Sequence, residues 1–188
     1  MPIIKGEDAE KEAVDEVAKL MLVSARTAPK SGGIDDIQTL LVTGEEKEAL
    51  AMEMEKVGVD RNIDGFKRDG WNVRDSQAVV LIGVRGTRKF GLNCGACGHK
   101  SCEEFENSEK RQGQDFIGPN CIFKILDMGI ALGSAAKMAM ELNVDNRIMY
   151  RVGVAAKRLG LLQESSVVMG IPLSARGKSI YFDRPLKI

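Results

Sequence analysis

No stretch of this 188-residue chain is apolar over a length that could span a bilayer, so no membrane association is expected. Neither sign of charge prevails either. Lys and Arg number 27, Asp and Glu also 27, and this balance leaves no basic footprint for nucleic acid. The N-terminus shows no secretory signal, which argues against disulfides and makes the cytoplasm the expected location. There is one histidine, and only one Cys-x-x-Cys pair. A chain of this length buries about 70% of its unfolded surface in one core, so a single domain over residues 1–188 is expected, with residues 91–121 inserted in it.

Scarcity makes the four cysteines conspicuous. Cys94, Cys97 and Cys102 lie in the run Cys-Gly-Ala-Cys-Gly-His-Lys-Ser-Cys, and Cys121 follows in Gly-Pro-Asn-Cys. Two thiols three positions apart can grip one centre from a tight turn, with Gly95 and Gly98 letting the backbone approach. Cys102 reaches the same centre from the far side of the loop, and Pro119 keeps the approach to Cys121 extended. Four converging thiolates suit a 4Fe-4S cluster. A structural zinc site also takes four cysteines, but it usually shows two short knuckles; it stays open as an alternative. A thioredoxin-type pair would leave Cys102 and Cys121 unexplained. His99 is read as an exposed loop residue that could also reach a cluster sulfur. Arg85, Arg88 and Lys89 precede the loop and read as a solvated connector that could also offset cluster charge.

This cysteine pattern resembles the small cluster-binding module of electron-transfer subunits in anaerobes. The whole chain is similar to an uncharacterised prokaryotic family described as ferredoxin-domain-containing proteins. That resemblance implies a 4Fe-4S cofactor and an electron-transfer role, and it names no reaction.

Hydrophobic periodicity predicts a helix over residues 7–26, a strand over 37–42, a helix over 45–56 stopped by Gly58, and a short helix near 66–71 with Trp71 in the core. The run Ala-Val-Val-Leu-Ile-Gly at 78–83 reads as a strand buried on both faces. After the cysteines, residues 122–141 read as a central buried helix whose Gly129, Gly133 and Ala136 admit a close neighbour, with Met128, Met138 and Met140 in the core. A helix over 147–159 closed by Gly160, a strand over 165–170 and an extended or irregular tail complete the order.

That α+β order resembles the nitroreductase fold, a sheet packed with helices, here carrying an inserted four-cysteine loop. The local likenesses are Ala28-Pro29-Lys30-Ser31-Gly32, where flavin-dependent members have a similar loop beside their cofactor, and Val167-Val-Met-Gly-Ile-Pro172. The resemblance implies FMN as a second cofactor, with Lys30, Ser31, Arg176 and Lys178 as the residues around a flavin or phosphate. The arginine-rich opening segment of those enzymes is missing, since Met1 to Lys5 leads directly into the first helix. Two functions follow: an electron-transfer module, or a flavin-dependent oxidoreductase fed by the cluster. The expected partner is a redox protein, and a homodimer is a further expectation.

Overall fold

The computed structural model describes residues 3–182. Its elements run α1 (Gly6–Thr27), a 3-10 turn (Ser31–Gly33), β1 (Ile37–Val42), α2 (Gly44–Asp60), α3 (Asp64–Asp75), β2 (Ala78–Val84), α4 (Cys102–Asn107), β3 (Arg111–Gln112), β4 (Ile117–Gly118), α5 (Ile122–Glu141), β5 (Asp145–Asn146), α6 (Tyr150–Arg158) and β6 (Val167–Ser174). Four strands form an antiparallel sheet in the order β1-β2-β6-β5, and β3 pairs with β4 in a separate hairpin.

β2 organises the layers. All seven of its residues are buried, and alternation sends them to opposite faces. Ala78, Val80, Ile82 and Val84 meet Val14, Ala18 and Met21 of α1 and Met128, Ala131 and Ala135 of α5. Val79 and Leu81 meet Leu50 and Met54 of α2, Val73 of α3, and Val152, Ala155 and Ala156 of α6. The result is a helix pair, a sheet and a second helix layer. On the second side α6 approaches so closely that a Cβ on Gly153 would sit 1.7 Å from the Val168 carbonyl oxygen.

Several expectations need correction. α2 runs through Gly58 to Asp60, because Gly58 is where α3 crosses: a Cβ there would meet the Lys67 amide at 3.0 Å. α3 is twice the expected length and buries Phe66, Asp69, Gly70 and Val73, which leaves Trp71 59% exposed. Among the described residues the tail is irregular only over 175–182, since β6 continues through Pro172; the part of the expected tail at 183–188 lies outside the described residues. Gly170 exchanges both backbone hydrogen bonds with Met149, so Pro172, two residues on, faces that same side, away from β2. There the neighbouring strand is interrupted between Asn146 and Met149, and the missing N–H breaks no ladder bond.

α5 has the expected bounds and buries Met128, Ala131, Leu132, Ala135 and Ala139, but its faces are not divided as expected. It buries Lys124 and Asp127 while Leu126, Ile130 and Met140 are exposed. Gly129 and Gly133 have open space around them, so neither admits a neighbour from among the described residues.

Candidate iron–sulfur site

The chain leaves the sheet at the end of β2 and returns at the start of α5, and the excursion carries all four cysteines. Cys94, Gly95, Cys97, His99, Ser101, Cys102, Phe105, Cys121 and Ile122 line one small pocket. Cys94 is exposed, Cys97 and Cys102 are half-buried, Cys121 is buried, and none is in a disulfide.

Local chemistry shapes the outer half. Gly95 and Gly98 take φ of 73° and 85°, the left-handed region open to glycine, and the Gly98 amide donates to the Gly95 carbonyl at 2.9 Å. Ser101 caps α4 by accepting from the Glu104 amide at 3.1 Å, while the Glu104 carboxylate accepts the Lys100 amide at 2.7 Å. Asn93 brackets Cys102: its Oδ1 accepts the Cys102 amide at 2.7 Å, and its own amide donates to Cys102 Sγ at 3.3 Å. An N–H aimed at a ligand sulfur stabilises charge on it. Sequence reasoning missed Asn93, although an asparagine beside Gly91 and Cys94, tolerant of positive φ, is a readable cue. It also missed Phe105, a fully buried wall of the pocket whose ring lies edge-on to His99 at 5.7 Å.

The inner half is bolted to the sheet. The Cys121 amide donates to the Gly86 carbonyl at 2.8 Å, and the Ser166 amide donates to the Val84 carbonyl at 2.8 Å. Ser166 Oγ donates to Asn120 Oδ1 at 2.5 Å and accepts the Gly86 amide at 2.9 Å. Gly86 is required here, because a Cβ would fall 2.3 Å from Asn120 Oδ1. Cys121 is also the residue that caps the 20-residue α5, at the helix end that carries a partial positive charge.

The chemistry of the donor set, four thiols lining one pocket, suits a 4Fe-4S cluster, which takes four thiolates, and it also suits a four-cysteine zinc site.

The basic residues before the loop are paired: Arg85 with Glu164 at 2.5 Å, Arg88 with Asp36 at 3.1 Å, and Lys89 with Glu106 at 2.5 Å. The Glu106 hydrogen bond holds the Lys89 ammonium above its ordinary range.

Of the other expected site residues, Lys30 turns back on the end of α1, donating to the carbonyls of Arg26 at 2.5 Å and Ala28 at 2.9 Å. Ser31 donates both its amide and its hydroxyl to Asp127 Oδ1, at 2.9 and 2.8 Å, which ties this loop to α5 one turn past the start of the helix. Arg176 donates to the Asp75 carbonyl at 2.6 Å and shares a groove with Glu10 and Asn143. Glu10 is near the start of α1 and Lys30 is beyond its end, about 25 Å away along the helix. Lys178 is exposed on the same tail as Arg176. The structure therefore does not bring the Lys30–Ser31 loop together with Arg176 and Lys178. It brings that loop to the cysteine side instead, since Gly32 packs on Phe90 and Phe90 stacks on Phe123 with ring centroids 5.4 Å apart.

Comparison with known proteins agrees with this architecture. Among solved structures the chain is similar to a nitroreductase with bound FMN from Desulfitobacterium hafniense, with a TM-score of 0.55, 15% identity, and coverage of 88% of this chain and 79% of that one. It is also similar to an FMN-dependent nitroreductase from Clostridium difficile R20291, with a TM-score of 0.52, 16% identity, and coverage of 89% and 80%. The fold is thus nitroreductase-like. A family model described as "Uncharacterized protein containing a ferredoxin domain" matches residues 117–184, a stretch that includes Cys121 and none of the other three cysteines. An Archaeoglobus fulgidus protein described as an uncharacterized protein is 51% identical over 185 residues, covering 98% of this chain and 99% of its own. At that identity over the full length, the chain belongs to the same family as the Archaeoglobus protein, that of the ferredoxin-domain-containing proteins.

Proposed function

We propose that this chain is an electron-transfer protein whose Cys94, Cys97, Cys102 and Cys121 hold a 4Fe-4S cluster. The observation that carries the reading is the shared pocket: thiols from a surface loop and a thiol anchored to the sheet line one small cavity. When bound, the cluster would accept and release one electron at a time. The chain's residues have distinct roles around it. Asn93 orients Cys102 and donates a hydrogen bond to its sulfur, Phe105 and Ile122 keep water from the inner side, and exposed Cys94 marks the edge through which a redox partner protein would exchange electrons. A cytoplasmic location suits the free thiols.

Protein purified without oxygen should be brown and contain iron and acid-labile sulfide in equal amounts. Stoichiometric zinc without sulfide would replace this reading with the structural zinc site.

A second reading, a flavin-dependent oxidoreductase fed by the cluster, is favoured by one observation: the Ser31–Gly33 turn lies against the first turns of α5, on the cysteine side of the sheet. Its basic residues weaken it, because Lys30 is spent on carbonyls of its own chain and Arg176 is remote. Flavin titration of the anaerobic protein decides: saturable FMN binding would make the flavoenzyme the better reading, and no binding leaves the carrier.

A further inference from the structure

The first two turns of α5 contain charges that stability does not explain. Lys124 is fully buried, Asp127 is 3% exposed and Asp36, which faces them from the segment before β1, is 4% exposed. Lys124 Nζ stands 2.8 Å from Asp36 Oδ2 at an angle that makes an ion pair without an oriented hydrogen bond. Asp127 Oδ2 has no hydrogen-bond partner. Burying an ammonium and a carboxylate with donors and acceptors unmet costs free energy, and apolar side chains of similar size at such a place are often as stable or more so. The surroundings are apolar and aromatic, with Lys124 Nζ 5.7 Å from the centroid of the Phe90 ring.

Their place in the fold gives these charges a role. Lys124 is the third residue of α5, and Cys121 is the residue that caps that helix, so the two lie within its first turn. Asp36 lies between two cations, since Arg88 reaches its other oxygen at 3.1 Å. Lys124 and Arg88 are matched in number by Asp36 and Asp127, but Arg88 is 61% exposed, so the cation held out of water near the start of α5 is Lys124, and the positive end of the helix adds to it. Screening is weak for a charge taken out of water.

We propose that Lys124 is a positioning residue for redox potential: its buried ammonium, balanced by Asp36, stabilises the additional negative charge that a cluster at Cys121 takes on when reduced. Net charge and dielectric environment are among the levers that set iron–sulfur potentials. The step is a one-electron reduction with the electron supplied by a chemical reductant; no bond forms or breaks in the protein. Asp36 and Asp127 oppose Lys124, Arg88 supports it, and the midpoint potential reflects their balance. This inference rests on the cluster reading above.

The test compares Lys124→Met and Asp36→Asn with the unaltered chain, each prepared anaerobically, with iron and sulfide measured before anything else. The midpoint potential is then read by electron paramagnetic resonance during titration with dithionite. Lys124→Met should lower the midpoint and Asp36→Asn should raise it, with the double variant lying between them. A merely structural role would move both single variants in one direction, or neither, and either result overturns the proposal. Where Lys124→Met does not fold, Asp36→Asn alone decides: a raised midpoint supports the proposal and an unchanged or lowered one overturns it. Unaltered protein without iron and sulfide would instead remove the cluster reading, and this proposal with it.

Discussion

Along β2 every side chain is buried and neighbouring strands pair with it on both sides, whereas residues 91–101 form no helix or strand and hold Gly91, Asn93, Gly95 and Gly98 at positive φ. The two regions meet at Cys121, whose backbone is bonded to the segment leaving β2 and whose sulfur faces the loop pocket. Apolar burial and ladder hydrogen bonds specify the sheet and its helices with no ligand involved. The outer loop has few such sources: a helix cap, the Asn93–Cys102 bracket and Phe105. Its remaining order would come from what the thiols bind, as in other metal-coupled folding.

The largest effect that would sharpen this contrast belongs to the sheet. Gly153→Ala places a methyl group inside the Val168 carbonyl, so a loss of about 4 kcal/mol or more is expected in urea unfolding, with Ala at Gly129 as a control of much smaller effect because that position is open. Next comes removal of the ligand set. Cys97→Ser should abolish iron and sulfide retention and, in hydrogen exchange, loosen residues 91–107 while the amides of β2 keep their protection. Equal loosening of β2 would break the comparison, since it would make the loop a pillar of the fold.

A smaller effect is expected where the regions touch through the turn after α1. Gly32 sits at φ 60°, and a Cβ there would meet the Phe90 ring at 2.9 Å, so Gly32→Ala should cost about 1–2 kcal/mol. The smallest concerns surface charge on the body. Glu48 is held below its ordinary value of 4.5, first by a hydrogen bond from Lys47, against some desolvation, and then by Arg74. Its folded form thus favours the carboxylate, a contribution present above pH 4.5 and lost as pH falls through the lowered folded value. Glu48→Gln should lower Tm slightly above about pH 4.5, where the contribution is present, and flatten the acid limb below it, so that the two curves converge as the group becomes protonated in both states.

The order of elements was legible because it depends on local pattern: the apolar run at 78–83, the periodicity of α1 and the bounds of α5 all stand in the structure. The cysteine spacing marked out a candidate site for the same reason, and in the structure the four cysteines line one pocket. Other readings failed where a distant residue decides the outcome. Trp71 is exposed because α3 turns Phe66 and Val73 inward. Pro172 remains in a strand because its neighbour is interrupted opposite it. Arg176 bonds to Asp75 and leaves the Ser31 loop to Asp127.

By itself, then, the sequence determined the main helices and strands and singled out the thiols as a candidate site, because helical and strand periods and residue spacing act over a few residues. Only the tertiary structure decided which faces those elements turn inward, because burial depends on partners far along the chain. It placed Cys121 against the end of the sheet, drew the loop after α1 toward the cysteines, and buried Lys124 between Asp36 and the aromatic rings. A lysine within an apolar helix reads as a solvated residue until the neighbours that enclose it are known.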